Sequence, residues 1–78
     1  MSARALREVF AASLDLPLDS ISDDIRYNTE PKWDSVAHMA LIAAIEMAFD
    51  ILIETDDVID MSSFLKAKEI VAKYGVAL

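Results

Sequence analysis

The sequence predicts a small all-α protein: a four-helix bundle with three longer helices, one short helix and a long first loop. Three observations predict this fold class. Apolar residues recur at helical spacing in separate stretches of the 78-residue chain. Residues that favour the start or the end of a helix flank these stretches. The one strand-like run, residues 51–53, has no pairing partner elsewhere. Because no linker, repeat or low-complexity segment interrupts the chain, residues 1–78 are expected to form a single domain.

The first helix is predicted over residues 3–14, with Ser2 as its N-cap. Its apolar positions follow helical spacing, namely Leu6, Val9, Phe10 and Leu14. A long connection then runs from about Asp15 to Asp34. Connections of this length are uncommon in compact domains unless they are pinned or functional. The residues expected to anchor this one to the core are Leu16, Ile21, Ile25 and Tyr27.

The second helix is predicted from Ser35 to Phe49 and is apolar on two sides. One stripe has the spacing of a core-facing surface and consists of Leu41, Ile45, Ala48 and Phe49. Another stripe lies on a different side and consists of Val36, Ala40, Ala43 and Met47. Since a chain this short has difficulty burying both stripes, the second is expected to be exposed.

Two further helices follow a short connector. The apolar run 51–53 is interpreted as a buried connector. Thr55 and the acids after it predict a short third helix that ends near Asp60. Ser62 or Ser63 is expected to cap a fourth helix that Gly75 ends at its C′ position. The apolar face of this fourth helix is predicted to contain Phe64, Leu65, Ala67, Ile70, Val71 and Tyr74. Its solvent-exposed side is predicted to contain Lys66, Lys68 and Lys73.

Composition excludes several classes of function. The chain has 14 acidic and 7 basic residues and a formal net charge of -7, which argues against nucleic-acid binding and favours basic partners. It contains no cysteine, so any thiol chemistry must arrive on an attached group. Without a signal-peptide pattern or an apolar run of about 18 residues, a cytoplasmic monomer that does not contact membranes is expected.

The stretch 33–36, with the sequence Trp-Asp-Ser-Val, stands where the long loop becomes the second helix. Unpaired backbone N–H groups and the helix dipole make such a position favourable for an anion, including one attached to Ser35. The structural alternative is helix capping by Asp34 or Ser35, with Trp33 packed on the first turn as a hydrophobic staple. Capping by Asp34 is compatible with either interpretation.

These residues resemble the acyl carrier protein family. The resemblance lies in Asp34-Ser35-Val36 followed by Leu41, Ile45, Glu46, Phe49 and Asp50, and it extends over nearly the whole chain. It implies a carrier domain rather than an enzyme, with no metal site of its own. Ser35 would carry 4'-phosphopantetheine, a covalent cofactor attached through a phosphodiester by a phosphopantetheinyl transferase. Asp34 would help to hold the transferase's magnesium ion, and the thiol of the arm would carry acyl or aminoacyl cargo.

The chain departs from the common family pattern at several positions. Lys32 and Trp33 replace the usual glycine before the Asp-Ser pair, and Ala40 and Met47 stand where acids are frequent. These differences favour a carrier of a specialised lipid, polyketide, peptide or saccharide pathway with a more apolar docking face. The expected partners are a loading enzyme and an acyltransferase or synthase. The residues predicted to contact them are Val36, Met39, Ala40, Ala43, Glu46, Met47 and Asp50.

Two alternatives remain open at this point. In the first, the helix is a non-carrier protein-protein interaction module and Ser35 is only a cap. In the second, Ser35 and His38 form a small hydrolase, since residues three apart on a helix are neighbours; a structural role of His38 near the core edge is preferred. If the small core opens, cargo is expected to lie partly between the helices, in space lined by Leu41, Ile45, Ile53, Ile59 and Leu65.

Overall fold

The computed structural model describes residues 2–78, with the side chains from Ala3 onward. It confirms a small helical bundle. Its helices are α1 (Ser2–Leu14), α2 (Ser35–Phe49), α3 (Thr55–Asp60) and α4 (Phe64–Lys73), and a 3₁₀ turn occupies Leu18–Ser20. Within residues 2–78 there is no strand, only an isolated bridge between Arg26 and Ser63. The predicted capping role of Ser2 depends on a side chain outside the described ones.

The core is organised around three aromatic rings. Phe10 of α1 lies edge-on to Trp33, with ring centroids 5.3 Å apart, and edge-on to Phe64 of α4, at 5.0 Å. All three side chains have no exposed surface. Such edge-to-face pairs add to the free energy gained by burying the rings. The rings therefore join α1, the end of the long loop and α4 into one core.

The long loop is pinned as predicted. Ile21 and Ile25 are buried, and Leu16 and Tyr27 are partly buried against the same core. The loop also joins the start of α4 through backbone hydrogen bonds, from Tyr27 N to Ser62 O at 2.9 Å and from Phe64 N to Ile25 O at 3.2 Å. These contacts fix the path of the chain between α1 and α2.

The predicted core stripe of α2 is wrong at one position. Leu41 and Ile45 are buried and Phe49 is partly buried, but Ala48 is exposed, and Ile42 joins the core instead. At about 100° per residue, the buried face is centred between Leu41 and Ile42. Ala48 lies at the edge of that face, in the last turn of the helix, and so it contacts solvent.

The connector 51–53 is only partly buried, contrary to the sequence interpretation. Ile53 is buried and Ile51 is partly buried, but 82% of the Leu52 side chain is exposed. Asp50 ends α2 with a left-handed backbone, at φ 55° and ψ 51°. The connector after it is not helical, and successive side chains of an extended chain point to opposite sides. Only part of a three-residue apolar run can therefore face the core.

The fourth helix begins and ends as predicted. The Ser63 side chain caps it by accepting a hydrogen bond from Lys66 N at 3.0 Å. Gly75 follows its C-cap at a φ of 92°, a left-handed conformation that glycine adopts without strain. Leu65 is an exception to the predicted apolar face, since it is 47% exposed.

The short helix α3 is fastened to the end of α4 by a cluster of polar side chains. The buried Asp57 carboxylate accepts hydrogen bonds from Lys73 Nζ and from the Tyr74 hydroxyl, each at 2.6 Å. The Tyr74 oxygen in turn accepts one from Glu54 N at 2.8 Å. The hydrogen bond from Lys73, and then that from Tyr74, holds the pKa of Asp57 below its ordinary value of 3.8. The same carboxylate raises the pKa of Lys73 and of Tyr74.

Asp57→Asn is expected to destabilise the protein at neutral pH and to have less effect in acid. Because the folded state lowers the pKa of Asp57, its contribution to stability is complete above the unfolded value, near 3.8, and is lost as the pH falls through the folded value. Urea unfolding at a series of pH values measures the difference between wild type and variant. Asp56→Asn removes an exposed neighbouring charge and is the control. A difference that stays constant down to strong acid would contradict this prediction.

Candidate functional site

Ser35 is the first residue of α2, and Asp34 is its cap. Asp34 has extended backbone angles, with φ -102° and ψ -174°, and its Oδ1 atom accepts a hydrogen bond from Ala37 N at 2.9 Å. The Asp34 carbonyl accepts the N–H of His38 at 2.8 Å. The predicted capping role of Asp34 is therefore confirmed, and Ser35 is not the cap.

The Ser35 side chain is accessible. Ser35 is exposed, and its hydroxyl makes none of the side-chain hydrogen bonds found in residues 2–78. The backbone N–H groups of Ser35 and Val36 lie in the first turn, where no helical carbonyl precedes them. An anionic ester on the Ser35 oxygen would thus have free backbone donors and the positive end of the helix dipole beside it.

The loop residues before Ser35 are held in place. Lys32 Nζ donates to the carbonyl oxygen of Asp15 at 2.9 Å, which joins the loop to the end of α1. The Trp33 carbonyl accepts the N–H of Asn28 at 3.0 Å, and Asn28 has a φ of 67°. With Trp33 buried, the Asp34-Ser35 pair is presented from an ordered segment.

Both ring nitrogens of His38 are used by the core. Trp33 Nε1 lies 2.9 Å from His38 Nδ1, and His38 Nε2 lies 2.8 Å from the carbonyl oxygen of Val58. The indole N–H can only donate, so Nδ1 accepts and Nε2 carries the proton that reaches Val58. His38 is buried and has the structural role preferred from the sequence. Neither nitrogen is left to activate Ser35, which removes the base that the hydrolase alternative needs.

Trp33 is more than the staple predicted from the sequence. It packs on the first turn of α2 as predicted, stacked on His38 at a centroid distance of 6.0 Å, but its ring is also fully buried against α1 and donates a hydrogen bond to His38. The signal for this pair was the five-residue separation of the only tryptophan and the only histidine. That spacing joins N′ and N4, the positions that a hydrophobic staple brings together, but it does not predict the hydrogen bond or the burial of the indole against α1.

The outward side of α2 carries the predicted apolar stripe. Val36 is 79% exposed, Met39 64% and Met47 85%, and Ala40 and Ala43 are also exposed. The predicted exposure of the stripe is confirmed, and Met39, which the sequence left undecided, is exposed beside it. Large apolar side chains exposed together on one side of a helix are typical of a binding surface.

The two acids predicted beside this stripe have different surroundings. Glu46 is partly buried, and its Oε2 atom accepts a hydrogen bond from Ile53 N at 2.9 Å. It thus fixes the connector, in addition to any contact with a partner. Asp50 is exposed at the C-terminal end of α2.

The side chains predicted to line a cargo space between the helices do not all face the core in this structure. Leu41, Ile45 and Ile53 are in the core, but Ile59 is 74% exposed and Leu65 lies on the surface. Ile59 instead lines a small, mostly apolar hollow of about 230 Å³ beside α3. The other residues of its lining are Tyr27, His38, Val58 and Met61.

The described residues contain no group of three or more histidine, aspartate or glutamate side chains placed to hold a metal ion. None of the helices in residues 2–78 combines the length and the apolar character needed to cross a membrane. No protein-family model, curated protein or solved structure matches this chain.

Proposed function

We propose that this protein is an acyl carrier that bears 4'-phosphopantetheine on Ser35. The observation that supports the proposal is the position of an exposed hydroxyl at the first residue of α2, directly after the Asp34 cap. An enzyme can reach this oxygen without unfolding the helix. A phosphodiester formed there would lie next to the unpaired N–H groups of the first turn.

Each neighbouring residue has a role in this proposal. Asp34 is exposed and uses only Oδ1 in capping, so its other oxygen is free to help hold the transferase's magnesium ion. The first turn of α2 binds the phosphodiester. The attached group supplies a terminal thiol that carries the cargo as a thioester, and the chain has no cysteine that could compete with this thiol. The apolar hollow beside α3 has a lining suited to the end of an acyl chain.

The outward side of α2 is the surface we assign to partner enzymes. It extends from the attachment site, at Val36, Met39 and Ala40, to Ala43, Glu46, Met47 and Asp50. The partners are a phosphopantetheinyl transferase, an enzyme that loads acyl or aminoacyl cargo, and an acyltransferase or synthase of a specialised pathway. Apolar exposed groups in this surface favour partners with apolar docking faces.

A helical interaction module without cargo is the second candidate. The exposure of Val36 and Met47 favours it as well, because a docking surface does not require a modified serine. The two candidate functions differ at Ser35: a carrier is modified on this serine, and an interaction module is not.

Mass spectrometry after incubation with coenzyme A and a broad-specificity phosphopantetheinyl transferase tests the proposal. The full chain is expected to gain one phosphopantetheine, with 3',5'-ADP as the released product, and peptide mapping should locate it on Ser35. No gain under conditions in which the same transferase loads a known carrier would refute the carrier proposal and leave the interaction module.

A further inference from the structure

A polar depression lies between α1, the first part of the long loop and α4. Its volume is about 520 Å³. The charged residues of its lining are Arg4, Arg7, Asp19, Asp23 and Lys68. No residue of α2 belongs to this lining, so the depression is separate from the proposed attachment site and from the surface assigned to partner enzymes.

Basic side chains are concentrated in this depression. The whole chain has 7 lysines and arginines and a net charge of -7, yet three of its cations stand here against two carboxylates. Two of the cations lie over the same buried ring, with Arg7 Cζ 5.8 Å and Lys68 Nζ 5.4 Å from the centroid of Phe64. They are thus at most about 11 Å apart, the sum of these two distances. Their fields add, and this part of an acidic protein attracts anions locally.

Arg7 is the cation of the depression that has no carboxylate partner. Arg4 pairs with Glu8 at 3.5 Å, and Lys68 pairs with Asp23 at 2.7 Å. Among the described side chains Arg7 forms no ion pair, and its Nε atom is enclosed by protein without a hydrogen-bond partner. Arg7 is also only partly exposed, so water and salt screen its charge less than that of a fully exposed arginine.

The chemistry of a guanidinium indicates which ligand fits. Its N–H groups form a flat fork that matches two oxygens of a carboxylate or phosphate group. Because Nε of Arg7 is enclosed, the terminal nitrogens are the atoms that a ligand can reach. Arg4 lies three residues earlier on α1, and residues at this spacing are neighbours on a helix. Its ion pair with Glu8 is 71% and 57% exposed, a kind of pair weak enough to be exchanged for a ligand.

We propose that this depression binds an oxyanion, the carboxylate or phosphate group of a ligand, with Arg7 as the principal contact and Arg4 as the second. Lys68 is engaged by Asp23 and adds to the positive potential. The inference goes beyond the carrier function, because the site needs neither Ser35 nor an attached arm.

Nuclear magnetic resonance titration of the ¹⁵N-labelled full chain tests this inference. The probes are sodium phosphate and sodium acetate near neutral pH, each compared with sodium chloride at the same ionic strength. At least one of the two oxyanions is expected to shift the signals of Arg4, Arg7 and residues 18–23 saturably, and chloride is not. Tighter binding of phosphate would assign the site to phosphorylated ligands, and tighter binding of acetate would assign it to carboxylates.

Four variants complete the experiment. Arg7→Gln removes the charge and the fork and should weaken oxyanion binding at least about tenfold. Arg7→Lys keeps the charge but not the fork and should weaken it several-fold. Asp19→Asn removes a carboxylate that opposes the anion and should strengthen binding. Arg26→Gln, at an exposed arginine outside the depression, should leave binding unchanged. Circular dichroism checks that the variants fold.

Several results would overturn the inference. These are an absence of saturable shifts beyond those of chloride, shifts confined to the first turn of α2, and an effect of Arg26→Gln as large as that of Arg7→Gln. If Arg7→Gln loses its fold together with its contact to Phe64, the other variants decide: wild-type affinity in both Arg7→Lys and Asp19→Asn would refute the site. Loading of Ser35 by the transferase is a separate measurement, so the carrier proposal and this one can fail independently.

Discussion

Ser35→Ala is expected to abolish attachment of phosphopantetheine while changing the free energy of unfolding by less than about 0.5 kcal/mol. The first effect is complete because the substitution removes the acceptor oxygen. The second is small because the serine hydroxyl is exposed and Asp34, not Ser35, caps α2. Intact-mass measurement after incubation with the transferase and coenzyme A gives the first quantity, and urea unfolding followed by circular dichroism gives the second.

Two variants serve as controls for this prediction. Ser20→Ala removes another exposed hydroxyl and should leave loading at the wild-type level. Asp34→Asn keeps a side chain that caps helices as well as aspartate does but removes the charge proposed to assist the magnesium ion. We expect slow loading of this variant with little loss of stability. Loading of Ser35→Ala, or a loss of stability above about 1 kcal/mol in that variant, would contradict the assignment of Ser35.

The helices were predictable because the residues that begin and end them act locally. Asp34 and Ser63 both have short side chains that accept an N–H three residues ahead, and each begins a helix where the sequence places it. Gly75 ends α4 through its own backbone preference, since it adopts a positive φ that other residues rarely adopt. The starts of α2 and α4 and the end of α4 can therefore be predicted without information about distant parts of the chain.

The direction of individual apolar side chains was less predictable, because it depends on where other elements lie. Ala48 and Leu65 have apolar neighbours at helical spacing, yet both are exposed at the margins of their helices. Leu52 was assigned to the interior on hydrophobicity alone, although the turn at Asp50 directs it outward. In the absence of a strong period, composition cannot distinguish a buried connector from an exposed one.

The sequence predicted where the residues of the candidate site lie, but not the tertiary contacts that hold the loop before Ser35. The positions of Asp34 and Ser35 followed from the cap pattern, and the exposed stripe of α2 followed from having two apolar sides on one helix. Packing of Trp33 on the first turn of α2 was predicted, but its hydrogen bond to His38 and its burial against α1 were not, since they require the long loop to return into the core. The anchoring of the loop that carries Ser35 thus depends on the tertiary structure.

Trp33→Ala is expected to cost about 3–5 kcal/mol of the free energy of unfolding. Trp33 has no exposed surface, and its ring contacts Phe10 at a centroid distance of 5.3 Å. The substitution also leaves the buried His38 Nδ1 without its donor, an additional cost of about 1–3 kcal/mol. Together these losses amount to about 4–8 kcal/mol, and because natural domains have only about 5–15 kcal/mol in total, this variant should lose a large part of its stability.

Circular dichroism in urea measures this loss, since the variant has no tryptophan left to report by fluorescence. Trp33→Phe separates the two causes: it retains most of the aromatic packing and removes only the hydrogen bond to His38, so its loss should be clearly smaller than that of the alanine variant. Val36→Ala, at an exposed site three residues further on, should change stability by less than about 0.5 kcal/mol. If Trp33→Ala were as stable as Val36→Ala, the loop carrying Ser35 would not be anchored through this ring, and its fixed presentation of the serine would need another cause.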